Sequence, residues 1–161
     1  MTFPSEILPI LALDLGSRMG WALRAATGAI ASGTQEFRPG RFEGAGMSFV
    51  RFTRWLDDIA GNTGRKIVVF EEVRAHAGTL AAQVYGGFLA HLTAWCERNS
   101  VPYLGVPVAT IKRHITGKGN APKEAVIAAV RAKGFAPRDD NEADALAILD
   151  WAVNNHIGGN S

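Results

Sequence analysis

At 161 residues, 47% hydrophobic and 20% charged, the chain reads as one globular domain over 1–161 with a substantial core. Its single cysteine, Cys96, excludes an internal disulfide and suits a reducing cytoplasm, and no Cys/His spacing suggests zinc. The run MTFPSEILPILAL has no basic region before it and stops at Asp14, which argues against a secretory signal or a membrane span.

Residues 8–15 form a nearly continuous apolar run, the pattern of a central strand buried on both faces. GWALRAA and AIASGTQEF follow as two antiparallel strands around a Thr27-Gly28 turn. Arg38 to Gly46 is a loop rich in Gly, Pro and Arg. Met47, Val50, Trp55 and Ile59 trace an amphipathic helix that ends near Gly61-Asn62. KIVVF is a fourth strand closing on Glu71. A loop containing Gly78 leads to a long helix from Leu80 to Asn99, where Cys96 reads as a buried structural thiol. VPYLGV is a fifth strand, and Pro107 to His114 starts a short helix. Thr116-Gly117-Lys118-Gly119-Asn120 is a turn, and Pro122 suits the first position of a helix running to Lys133. The last helix begins at Asp140 or Asn141 and runs to Asn154. This order predicts an α/β domain, a mixed five-stranded sheet with helices on both faces.

Three acids interrupt or end segments that should be buried: Asp14 in ILALDLG, Glu71 in IVVFEEV and Asp144 in NEADALAILDWA. An ionised carboxylate away from water costs several kcal/mol, on the order of 3–5, unless paired or bound to a metal. Strand alternation sends Glu71 and Glu72 to opposite faces, so only one can join Asp14. A salt bridge to Arg74 or Lys66 is the rival explanation for Glu71. Asn141 and Asp144 share a helix face, and on spacing alone Asn141 reads as an N-cap. Oxygen donors without a His/Cys set favour magnesium or manganese, and two such ions roughly 3.5–4 Å apart are suited to phosphodiester hydrolysis.

Residues 107–133 carry Lys112, Arg113, Lys118, Lys123, Arg131 and Lys133 against one acid, Glu124. That local surplus of +5, in a chain of net +2, suits a polyanion such as nucleic acid. Gly117-Lys118-Gly119 lets backbone approach a phosphate, and Lys123 in a first helical turn would gain from one nearby.

Four ordered blocks, LALDLGSRMGWAL, VVFEEV, IKRHITGKGNAPKEAV and EADALAI, resemble the RuvC-type Holliday-junction resolvases of the ribonuclease H-like nuclease superfamily. The absence of an extension for a branch-migration partner points to the phage-like subgroup. The resemblance implies a magnesium-dependent crossover junction endodeoxyribonuclease, with manganese able to substitute, working as a homodimer on branched DNA in the cytoplasm. Asp14, Glu71 and Asp144 become metal-binding catalytic acids, and Lys112 and Lys123 catalytic lysines that also contact DNA. Arg74, Arg113 and Lys118 are further DNA contacts, with His76 beside them. Such enzymes carry an acid or histidine three residues before the last aspartate; here that position is Asn141, with Asp140 as the candidate to compensate. An RNA-processing nuclease of the YqgF-like group and a catalytically degenerate junction-binding protein are the alternatives. Ala81, Ala82, Val84, Tyr85, Gly86, Gly87 and Phe88 offer a surface for self-association, with Tyr85 and Phe88 as candidate wedges between bases.

Overall fold

The computed structural model describes residues 7–60 and 64–159. Ile10, Leu11, Ala12 and Leu13 have no solvent exposure, as a strand apolar on both faces requires. They belong to β1 (Ile10–Asp14), the centre of a five-stranded sheet completed by β2 (Arg18–Arg24), β3 (Ile30–Glu36), β4 (Ile67–Glu72) and β5 (Tyr103–Pro107). The spatial order is β3-β2-β1-β4-β5. β1 pairs antiparallel with β2 and parallel with β4, so its carboxyl end lies beside the carboxyl end of β4. The helices are α1 (Met47–Ala60), α2 (Thr79–Arg98), α3 (Val108–Thr116), α4 (Lys123–Ala132) and α5 (Asp140–Asn154).

Alternation along the strands divides the core in two. Ile10, Ala12, Ala22, Val69 and Val106 face α3, α4 and α5, where Ile111, Val126, Leu146 and Ile148 meet them. Leu11, Leu13, Met19, Val68 and Phe70 face α1 and α2 and pack on Phe52, Leu56, Phe88 and Leu92. Cys96 lies in this second core, its thiol pushed up to about 12 by burial and then by Glu97.

α5 rests directly on β1 and β2. A Cβ on Gly20 would collide with the Asn141 carbonyl, so only glycine lets this helix start so close to the sheet.

Three expectations are corrected. Asn141 is not the N-cap of α5. Asp139 is, because its extended backbone aims the carboxylate at the Glu142 N–H, 2.8 Å away. Pro122 stands just outside α4, its carbonyl accepting from Ala125 and Val126, rather than as the first helical residue. Tyr85 and Phe88 are buried in the core on the α1 and α2 side of the sheet rather than exposed as wedges, while Ala81, Ala82 and Gly86 stay exposed. The expected end of the first helix at Gly61-Asn62 lies outside the described residues. Among those described, no helix is long and apolar enough to cross a membrane.

Gly20→Ala should destabilise the protein by about 1–3 kcal/mol, because α5 must shift away from β2. Urea unfolding measures this; an unchanged midpoint would show that the close approach is not required.

Candidate active site

The parity that splits the core also selects the acids. Asp14 follows Ala12 by two residues and Glu71 follows Val69 by two, so both point to the α5 side of the sheet. Glu72 points the other way and pairs with Arg74 at 3.7 Å. Lys66 instead donates to the Ala60 carbonyl, so neither rival cation holds Glu71. From α5, Asp144 completes the group, and Asp140 lies at its edge.

These acids perturb one another. Asp14 has its pKa pushed well above the carboxylate range, by burial first and then by Asp144, Glu71 and Asp140, with Lys123 opposing. Asp144 is raised to about 7 by burial, then Glu71 and Asp140, with Lys112 and Lys123 offsetting. Glu71 is raised by burial against the pull of Lys112. Asp140 behaves differently: its ion pair with Lys123 at 2.8 Å holds its pKa down. Three acids therefore carry a charge that the site disfavours, and two lysines partly compensate it. Among the described residues, no three His, Cys, Asp or Glu side chains are already closed into a metal cage.

Local structure holds the acids in place. The Tyr85 hydroxyl donates to the Glu71 carbonyl at 2.9 Å and accepts from the Val73 N–H at 3.1 Å, fixing the chain as it leaves β4. The start of α5 is tied to β3 by four side chains. Thr34 donates to Asp139 at 2.7 Å, and Ser32 donates to the buried Glu142 at 2.8 Å. Glu142 also accepts from the Arg138 backbone at 2.9 Å. Further along, Asp150 on α5 binds His114 at 2.7 Å and Lys133 at 3.4 Å, joining α5 to α3 and to the end of α4.

Lys112 and Lys123 thus stand beside the acids. Arg113 and Lys118 are exposed around the turn after α3, whose Gly117 adopts φ 88° at the helix end. Arg74 is exposed beside Glu72, and none of these three arginine and lysine residues shifts the acids. Asn141 is half-buried, with its carbonyl against Gly20. The Asp139-x-x-Glu142 spacing is a capping-box signal present in the sequence. The role of Tyr85 has no local signal, since its partners lie 12 and 14 residues away.

No family model matches the sequence, and no curated protein matches it. Solved structures do. Thermus thermophilus RuvC in complex with a Holliday junction substrate is 24% identical, covers 88% of this chain and 90% of its own, and superposes with a TM-score of 0.73. A second Thermus thermophilus RuvC structure gives 21% identity, 94% and 99% coverage, and the same TM-score, 0.73. The yeast mitochondrial Holliday junction resolvase Ydc2 is 11% identical over 88% of this chain and 76% of its own, with a TM-score of 0.59. The chain has the RuvC-type ribonuclease H-like fold.

A raised carboxyl pKa has a definite sign in stability. The unfolded Asp144 ionises near 3.9 and the folded one at about 7, so rising pH across that window weakens the metal-free fold. With a chelator present at pH 8, Asp144→Asn should unfold at higher denaturant than the parent, and the gap should close toward pH 4. A variant less stable than the parent at pH 8 would contradict the assigned burial penalty.

Proposed function

We propose that this protein is a divalent-metal-dependent endonuclease that hydrolyses phosphodiesters in branched DNA, four-way junctions above all. One observation carries the reading: Asp14, Glu71 and Asp144 share one face and one end of the sheet, with proton affinities raised by burial and, for Asp14 and Asp144, by neighbouring acids as well. The fold supports the substrate class, because solved proteins with it include a RuvC bound to a Holliday junction and a mitochondrial junction resolvase.

The donor set fits a hard dication. Asp14, Glu71 and Asp144 would hold it, with Asn141 or Asp140 completing the oxygen ligands. Bound Mg2+ or Mn2+ supplies Lewis-acid polarisation of the phosphate and a more acidic water. Lys112 positions the scissile phosphate from α3. Lys123 exchanges its contact with Asp140 for a phosphate oxygen, freeing that acid to face the site. In the hydrolysis the water oxygen bonds to phosphorus and the P–O3′ bond breaks. The attacking water gives up a proton and the leaving 3′ oxygen takes one up, giving 5′-phosphate and 3′-hydroxyl ends.

Arg74, Arg113 and Lys118 extend the phosphate contacts beyond the cleavage point. A homodimer would place two such sites on symmetric strands, with the exposed small residues Ala81, Ala82 and Gly86 of α2 supporting close self-association. The buried, unpaired thiol of Cys96 suits the cytoplasm. Asn141, where an acid or histidine is expected, supports a second reading as a junction-binding protein without cleavage.

Purified protein with Mg2+ should nick a synthetic four-way junction at symmetric positions, and Asp14→Asn should abolish cutting while sparing binding. Junction binding without cutting in Mg2+ and Mn2+ selects the second reading. Full activity in Asp14→Asn would sink the assignment of the site.

A further inference from the structure

The loop joining β3 to α1 starts at the same end of the sheet as the acids. β3 runs antiparallel to β2, so Glu36 pairs opposite Arg18, while Gly20 pairs with Asp14. The Phe37 N–H then donates to the Ser17 carbonyl at 2.7 Å, carrying the pairing to the top of the sheet. β3 lies two strands from β1, roughly 10 Å away.

Beyond Phe37 the chain makes an ordered turn. The Glu43 N–H donates to the Gly40 carbonyl at 3.1 Å, closing four residues with Arg41 and Phe42 at the tip. The Glu43 carboxylate accepts from the Gly40 N–H at 2.7 Å and binds Arg51 of α1 at 2.6 Å, so the turn is braced from both sides. Phe42 is 94% exposed, the most exposed large apolar side chain among the described residues. Leu80, at 74%, is next, and as the second residue of α2 it projects from the same end. An aromatic ring held in water by a braced turn has no role in this fold.

Its surroundings indicate the partner. The guanidinium of Arg41 lies 5.4 Å from the centre of the Phe42 ring. Between 36 and 54 the sequence carries Arg38, Arg41, Arg51 and Arg54 against Glu36 and Glu43. Exposed rings flanked by arginine are how proteins stack on unpaired bases while their cations hold the backbone. Duplex arms offer no open base face, whereas a branch point does.

We propose that the Arg41-Phe42 tip is a second contact surface for branched DNA, where Phe42 stacks on a base at the branch while the acids face a phosphodiester. This rests on the junction-nuclease reading above. The surface is absent from the sequence motifs, since Phe42 lies outside every block that carries the resemblance.

The test compares binding to a four-way junction carrying 2-aminopurine at the branch with binding to a linear duplex of the same arms, both in chelator. Phe42→Ala should bind the junction about tenfold more weakly, with the duplex affinity unchanged and the 2-aminopurine signal lost. Phe42→Trp should retain both affinity and signal. Since Phe42 is exposed, neither change endangers folding. Parental protein that binds junctions, with Phe42→Ala equal to it on both DNAs, overturns this inference alone. Parental protein that shows no junction preference overturns the proposed function and this inference with it. A Phe42→Ala protein that loses self-association in sedimentation, with its junction signal intact, assigns the tip to a second copy of the chain and overturns the DNA role.

Discussion

Contact between the first turn of α5 and the bare backbone of Gly20 sets the distance on which the site depends. With any side chain at that position, the Asn141 carbonyl would have to withdraw from the sheet. The apolar residues behind it, Ala143, Ala145, Leu146 and Ile148, would then lose their fit against β1 and β2. Around this contact the polar groups are satisfied rather than abandoned. Asp139 caps the helix, and buried Glu142 takes hydrogen bonds from Ser32 and Arg138. The helix is therefore fixed in height by glycine and in orientation by its ties to an edge strand. Asp144, one turn further along, inherits both constraints.

That rigidity makes the acids unfavourable neighbours. Burial raises Asp14, Glu71 and Asp144, and the first and last are raised further by their neighbours, while Lys112 and Lys123 offset only part. A protein selected for stability alone would place apolar or paired residues there. Perturbed carboxylates clustered in this way mark functional sites, and under the proposed function the missing positive charge would come from a bound cation. The Lys123–Asp140 pair fits the same logic, because under the proposed function each partner would gain a use once DNA is bound.

Much of this was legible in the sequence, for physical reasons. β1 announces itself because a strand buried on both faces leaves no room for polar residues, and Asp14 is conspicuous at its end. Period-two alternation narrowed Glu71 and Glu72 to one, though not to which; the packing of Val69 toward α5 decides for Glu71. What stayed hidden depends on contacts between distant residues. Nothing near Tyr85 in sequence says that its hydroxyl clasps the end of β4, so its ring read as a surface wedge. Asn141 read as a cap because Asn and Asp both suit that role, and only the extended backbone at Asp139 shows which residue took it. Phe42 lies in a Gly-, Pro- and Arg-rich stretch whose composition signals only a loop. Its exposure becomes apparent once Phe37, Phe49 and Phe52 are all seen to turn inward.

Under the proposed function, Asp14, Glu71 and Asp144 form an incomplete charge cluster that a divalent cation completes. Thermal unfolding at pH 8 with increasing Mg2+ or Mn2+ tests this without reference to DNA, because a ligand that binds the folded state alone raises its stability in proportion to the logarithm of its concentration. Tm should rise with metal concentration for the parent and stay constant for Asp14→Asn/Glu71→Gln/Asp144→Asn, which keeps the shapes and removes the charges. Equal shifts in both proteins, or no shift in the parent, would contradict it.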